Sequence, residues 1–290
     1  MNKNATFRQR LNQKGIIVAP GCYDALTAKL VEKSGFEALY MTGAGVSMST
    51  LGIADVGLTT LSEMLVRVSQ ISQAVEIPLI ADGDTGYGNP LNVYRTIREY
   101  EHAGASAIHI EDQLMPKKCG HKLGRKLITK EEMQQKIKAA TDARRDGNFV
   151  IIARTDARTE YGFPEALDRA KAYEEAGADV IFVESVQSQE EMRIVHQTVN
   201  KPTFSNMVEG GRTPLLSARE LEEIGYKIVI FPNAIARIMT KSAMFLLKEL
   251  KEKGTTKGLL DRMFSHSEFY DLYDFDHWVS LESKYLKIDQ

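Results

Sequence analysis

The residues best equipped for chemistry stand in short polar clusters, each at the end of an apolar run. Asp82-Gly83-Asp84 closes one run and His109-Ile110-Glu111-Asp112 the next; Arg154 with Asp156, then Glu184, then Asn206 close three more. An earlier run ends Tyr40-Met41-Thr42-Gly43-Ala44-Gly45, with Asp55 a little further on. In an extended strand alternate residues share a face, so Asp82 pairs in direction with Asp84, and His109 with Glu111. One carboxylate at a strand end is commonly a helix cap or a solvated group. Several brought together repel one another and lose water. A hard divalent cation relieves that conflict. Magnesium takes oxygen ligands, keeps part of its water shell and needs only one or two carboxylates plus substrate. Asp82, Asp84, Asp55 and Glu111 are therefore the candidate metal residues, and an ion network balanced by Arg154 without metal is the competing reading.

A second cluster, Pro116-Lys117-Lys118-Cys119-Gly120-His121, carries one of the two cysteines. Flanking cations predict a thiol pKa lowered toward neutrality, suited to general acid–base work, with nucleophilic attack as the rival role. One Cys and one His are no tetrahedral zinc set. Cys22 reads as a packing residue. The planar fork of Arg154 matches a carboxylate, and the Thr42 to Gly45 stretch offers backbone N–H groups to another. Of the six histidines only His109 and His121 fall near these clusters.

The elements that must carry these residues alternate regularly. Candidate strands cover 16–20, 38–43, 78–84, 107–112, 149–156, 180–185, 202–207 and 227–232, separated by amphipathic helical stretches. Thr60/Glu63, Thr129/Glu132, Ser188/Glu191 and Ser217/Glu220 have capping-box spacing, and Gly35, Gly104, Gly177 and Gly225 stand where helices end. The strands are continuous apolar runs, which suits parallel strands covered by helices. Eight such units predict a (β/α)8 TIM-type barrel over 1–253, whose site forms at the carboxyl ends of the strands. An open doubly wound sheet is disfavoured, because Pro-Gly-Cys-Tyr-Asp after the first strand is no phosphate-binding glycine fingerprint. The segment from Asp112 to Thr129 is far too long for an ordinary barrel turn, which marks it as functional. Residues 254–290 form a C-terminal helical extension whose aromatic content predicts packing on the barrel or on another subunit.

Composition narrows the function class. With 290 residues, 43% hydrophobic, 26% charged and a formal net charge of −2, the chain offers no general attraction to nucleic acid or an anionic membrane. No apolar run is long enough to span a bilayer, and no secretory signal is apparent, so a cytoplasmic location is expected.

The stretches PGCYDALTAKL, YMTGAGVS, LGIADVG, ADGDTGYGNP, IHIEDQ, PKKCGH, ARTDA and FSNMVEGGRTP occur in the order typical of the isocitrate lyase/phosphoenolpyruvate mutase superfamily. The chain resembles that family over essentially its full length, and PKKCGH after IEDQ marks the lyase branch. The resemblance implies a Mg2+-dependent carbon–carbon lyase, with Mn2+ as a substitute. It would cleave a 2-hydroxy di- or tricarboxylate of the 2-methylisocitrate or 2-alkylmalate (dimethylmalate) type to a 2-oxo acid plus a carboxylate. It implies Asp82 as direct metal ligand, with Asp55, Asp84 and Glu111 around it. Thr42, Gly43, Ala44, His109, Gly120, Arg154 and Asn206 would bind substrate. Lys117, Cys119 and His121 would act from a closing loop, Cys119 protonating the carbanion and Tyr40, Glu184 or a water serving as base. A homotetramer with a swapped C-terminal helix is also implied. Thr42 and Ala44, where methylisocitrate-cleaving members more often carry serine and glycine, tilt the resemblance toward alkylmalates. Oxaloacetate decarboxylation and phosphonate mutation are the alternatives within the family, and a non-catalytic metabolite-binding barrel is the alternative outside it.

Overall fold

A computed structural model describes residues 2–286. Eight parallel strands close into a barrel in sequence order: β1 (Ile17–Cys22), β2 (Leu39–Met41), β3 (Leu79–Asp82), β4 (Ala107–Glu111), β5 (Val150–Thr155), β6 (Val180–Val183), β7 (Thr203–Asn206) and β8 (Ile228–Phe231). The predicted TIM-type barrel is therefore present; seven predicted strands are trimmed by a residue or two at one or both ends, and the first, expected over 16–20, runs instead from Ile17 to Cys22.

Period-two alternation divides the apolar residues into two layers. Ile80, Ala107, Val150, Ile152, Val180, Phe182, Phe204, Ile228 and Ile230 form the cluster that fills the barrel. Phe7 and Leu11, from the helix Lys3–Asn12, join that cluster. Ile108, Ile110, Ile151, Ala153, Ile181 and Val229 belong to a separate, larger cluster with the surrounding helices. The strands are apolar on both faces for that reason.

The inward rows change character near the strand ends. Beyond Ile80 the next inward position is Asp82, and beyond Ala107 come His109 and Glu111. Past Ile152 stands Arg154, past Phe182 Glu184, and past Phe204 Asn206. Register sets these groups level with one another: Asp82 pairs with His109, and Glu111 with Arg154. An apolar floor thus supports a polar mouth.

Local signals act as the sequence predicts, with two changes. Thr60/Glu63 and Ser217/Glu220 make reciprocal capping boxes. Thr129 and Ser188 accept from the N3 backbone without the return bond, and the Glu191 carboxylate turns instead to Arg158 and the Gln187 N–H. Gly35, Gly104, Gly177 and Gly225 all adopt positive φ, between 82° and 114°.

The chain divides into two compact units between Ile235 and Ala236. The helix Ala234–Lys253 therefore lies almost wholly in the second unit, whereas the sequence groups it with the barrel. That unit continues through a 3-10 turn (Lys257–Arg262) and the helices His266–Asp271 and Phe275–Tyr285. Within it Leu259 is buried, while Met244, Phe264 and Trp278 are more than 60% exposed. Among the described residues no helix is long and apolar enough to cross a membrane.

Candidate active site

The polar strand ends and the Asp112–Thr129 segment enclose one cavity. Tyr40, Thr42, Ala44, Asp55, Asp82, Glu111, Arg154, Glu184 and Asn206 line it from the barrel side, and Lys117, Cys119, Gly120 and His121 from the loop. Gly43, His109 and Asp84 stand just behind this lining. The Gly43 N–H, at the start of the helix Gly43–Leu51, donates to Asp82 Oδ2 at 3.1 Å. His109 Nε2 lies 3.2 Å from Asp82 Oδ1, and Asp84 Oδ1 is 2.5 Å from the Lys117 ammonium. All the residues singled out from the sequence are thus brought to one end of the barrel.

Two anchors hold the loop over the cavity. Lys117 is buried between Asp55 (2.7 Å) and Asp84, and Ser185 Oγ donates to the Gly120 carbonyl at 2.8 Å. Ser185 takes φ of 60°, a backbone state that side chains other than glycine rarely adopt. Its position after Glu184 turns both groups toward the loop. The Arg212 N–H donates to His121 Nδ1 (3.1 Å), which leaves the His121 proton on Nε2, 3.5 Å from Glu184 Oε1. Glu184 also accepts from Asn206 Nδ2 (2.9 Å) and from the Ser185 N–H (2.8 Å), and its Oε2 lies 3.3 Å from Arg154. Arg154 sits over the Phe182 ring, 3.3 Å from Glu111, and holds Asp156 through Nε and Nη2, both at 3.0 Å.

The protonation pattern follows from burial and these neighbours. Burial alone raises a carboxylate, but His109, Lys117, the Asp84 N–H and Arg154 outweigh it at Asp82, held at about 2. Burial, with the negative charges of Asp82 and Asp55, lifts Asp84 to about 6 against the pull of Lys117. Glu111 is pushed well above the carboxylate range by burial, despite Arg154. Burial lowers His109 to about 4. At neutral pH the state for this pair is an ionised Asp82 beside a neutral His109.

Cys119 corrects the sequence expectation. Its thiol is raised, not lowered: burial dominates, and Asp55 and Glu184 add to it against the His121 backbone N–H and Arg154. The adjacent lysines fail as activators because their ammonium groups go elsewhere. Lys117 is drawn into Asp55 and Asp84, and Lys118 Nζ donates to the Gly124 carbonyl (3.0 Å). The sulfur is therefore a thiol at neutral pH. Tyr40 is likewise raised, by burial and then by Asp82, and its hydroxyl lies 3.3 Å from both Asp82 Oδ2 and His109 Nδ1. Those surroundings make it a proton donor to Asp82.

The family model described as phosphoenolpyruvate phosphomutase matches residues 7–251. The chain belongs to the isocitrate lyase/phosphoenolpyruvate mutase superfamily. Within the superfamily it is 52% identical to a 2,3-dimethylmalate lyase of Eubacterium barkeri over 98% of this chain and 99% of that one. It is 49% identical to a 2-methylisocitrate lyase of Aeropyrum pernix, over 96% and 89% respectively. A crystal structure of 2,3-dimethylmalate lyase superposes with a TM-score of 0.93 at 38% identity, covering 98% of this chain and 95% of that one. A superfamily phosphonopyruvate hydrolase, solved with oxalate and Mg2+, superposes with a TM-score of 0.89 at 32% identity, covering 99% and 100%. The protein is an enzyme, a lyase similar to the dimethylmalate and methylisocitrate lyases.

Some cavity groups of this superfamily member escape the sequence reading. Asn233, just past β8, lies 3.2 Å from the Thr42 hydroxyl, and Val208 and Pro232 give the wall an apolar patch. The strand-end criterion, applied to β8, finds Asn233. Nothing in the sequence signals Gln113, whose amide bonds both the N–H and the carbonyl of Lys118 (2.9 Å each).

Gly120 is fixed by close approach. A Cβ there would stand 2.4 Å from Arg154 Nη2 and 2.7 Å from Glu184 Cγ. Gly120→Ala is expected to keep the unfolding temperature but lower kcat/KM by about 100-fold, the cost of a displacement near 1 Å in a reacting constellation. Thermal melts and steady-state kinetics check this; an unimpaired variant refutes loop closure against Arg154.

Proposed function

We propose that the protein is a magnesium-dependent lyase that cleaves the C2–C3 bond of a 2-hydroxy dicarboxylate of the 2-alkylmalate type, releasing a 2-oxo acid and a carboxylate. The observation that carries the proposal is a half-buried thiol held by a closed loop over a cavity of carboxylates and one buried arginine.

The residues fit a hard cation. Glu111 Oε1 is buried with no hydrogen-bond partner, and the carboxylates of Asp55, Asp82, Glu111 and Glu184 line one cavity, with Asp84 buried behind them. Among the described residues no three such groups could hold an ion by themselves. That accords with magnesium, which binds through one or two carboxylates and completes its shell with water and substrate. Asp82, ionised at neutral pH, is the proposed ligand, with Glu111, Asp84 and Asp55 bordering it. When bound, the ion supplies Lewis-acid stabilisation to oxygen charge.

The chain's own groups divide the remaining work. Arg154 presents its guanidinium edge to a substrate carboxylate, with Asn206, Thr42 and Gly120 lining the same space. Glu184, fixed by Asn206, Ser185 and Arg154, is the proposed base for the C2 hydroxyl proton. The bonding pair of C2–C3 becomes the carbanion's, and the Cys119 thiol delivers its proton to that carbon. Return of the proton from Glu184 to the thiolate, with His121 Nε2 beside Glu184, restores both groups. The closed loop keeps water from competing with Cys119.

An apolar patch of Val208, Ile230 and Pro232 in the lining of the same cavity supports an alkyl-bearing dicarboxylate over a tricarboxylate. The test is a panel of 2,3-dimethylmalate, 2-methylisocitrate, isocitrate and oxaloacetate, with 2-oxo acid release coupled to NADH oxidation. Dimethylmalate is expected to be turned over with the highest kcat/KM. Preferred turnover of oxaloacetate would reject the proposal, and preferred turnover of 2-methylisocitrate would replace its substrate. We also infer that the exposed apolar faces of residues 236–286 serve assembly with further copies, with a homotetramer expected from sedimentation; a monomer would reject it.

A further inference from the structure

Asp156 does not line the cavity, yet it is completely buried and joins a loop arginine to the cavity's Arg154. Both it and Arg125 have fully buried side chains and meet at 2.5 Å, Arg125 Nη1 on Asp156 Oδ1. The same Oδ1 accepts from Arg154 Nη2, and Oδ2 accepts from Arg154 Nε. Gln113, at the start of the loop, also stands near enough to lower the Asp156 carboxyl. Arg125 and Gln113 stand at opposite ends of the loop, Gln113 pairs across its neck with Leu127, and Gln113 also clamps the Lys118 backbone beside Cys119.

The carboxylate is itself fixed from behind. The Asp156 N–H donates to Asp112 Oδ1 (2.9 Å), while Asp112 Oδ2 accepts from Thr155 Oγ1 (2.8 Å), Tyr173 (2.7 Å) and Arg169 (3.1 Å). Asp112 is completely buried among these partners. One post, rigid on its outer side, therefore holds Arg125 of the loop and the guanidinium that faces substrate.

We propose that Asp156 is a positioning residue that couples closure of the 113–127 loop to the orientation of Arg154. With the loop docked, Arg125 occupies part of Oδ1, and the remaining lone pairs hold the Arg154 fork in the cavity-facing pose. With the loop undocked, Asp156 is free to re-pair with Arg154 in another geometry. Substrate binding and access to Cys119 then change together, because one carboxylate serves both.

The loop side gives the cleaner test. Asp156→Asn strands two buried arginines, a change that threatens folding. Arg125→Met leaves Asp156 paired with Arg154 and fills a similar volume. In Arg125→Met the rate of Cys119 alkylation by iodoacetamide at fixed pH is expected to rise at least about tenfold, since the loop opens more often. The same variant is expected to lose about tenfold in kcat/KM, and Arg125→Lys to recover most of that loss by keeping a cation on Asp156. Combined with Arg154→Lys, Arg125→Met is expected to cost little beyond Arg154→Lys alone, because both act through one carboxylate.

An unchanged alkylation rate in a folded Arg125→Met overturns the tie between Asp156 and the loop. Losses that multiply in the double variant overturn the tie between the loop and Arg154. The alkylation arm needs no substrate, so it stands apart from failure of the proposed lyase reaction.

Discussion

Cys119→Ser is expected to lower turnover by about 100-fold or more, the lower bound for losing a positioned general acid, while KM stays close to that of the parent enzyme. Serine keeps the size and the hydrogen-bonding capacity but is a far weaker acid, so the carbanion loses its proton source and little else. The pH profile carries a second signature. Burial raises this thiol above its ordinary value of 9.0. The competent form is protonated, so it is fully populated at neutral pH and is lost only as pH rises through the elevated pKa. The alkaline limb of kcat is therefore expected above pH 9 in the parent enzyme and absent in the serine variant. Iodoacetamide reports the same equilibrium from the other side, because it reacts with the thiolate. Its rate on Cys119 should still be climbing at pH 9. An alkaline limb near neutrality would reject the raised thiol, and unimpaired turnover of Cys119→Ser would remove the sulfur from the reaction.

Removal of divalent metal by EDTA is expected to abolish turnover by more than about 1000-fold, with recovery on adding Mg2+ or Mn2+, since a Lewis acid contributes several kcal/mol to charge stabilisation in such a site. The argument rests on Glu111 and its neighbours. Glu111 Oε1 has no partner, and burial with Asp156 and Asp82 nearby pushes its carboxyl well above its ordinary range. A cation beside Asp82 relieves that repulsion, so Mg2+ should also raise the unfolding temperature by preferential binding to the folded state. Full activity in EDTA, or an Asp82→Asn variant still stabilised by Mg2+, would reject the carboxylate assignment.

The barrel was legible in the sequence because parallel strands buried on both faces leave continuous apolar runs, as in Phe149 to Ala153 and Val180 to Val183. The site was legible because the residue type switches from apolar to charged at each strand end, and period two fixes the face. The Cys119 environment was not legible. Three charges within two residues of it suggest an acidified thiol, but adjacency in sequence does not decide where a long lysine side chain reaches. Lys117 finds Asp55 and Asp84, sixty-two and thirty-three positions away, and takes its charge with it. The grip of Arg125 on Asp156 was hidden for a related reason. A loop without periodicity gives no indication of which of its polar groups turn inward.

The inward rows of the barrel, hydrocarbon below and ionisable above, have a consequence for descent. Residues such as Ile152, Phe182 and Phe204 secure the interior without touching reactant, and the next inward position on each strand supplies a reagent. Selection can thus rewrite the reagents one rung at a time while the supporting rungs stay intact. A common ancestor could give rise to enzymes named as lyase and phosphonopyruvate hydrolase on superposable backbones by that route. For an engineer the same division means that a library confined to the uppermost rung and the loop, with the buried Arg125–Asp156–Arg154 pairing kept, would sample new reactions while leaving the hydrocarbon floor intact.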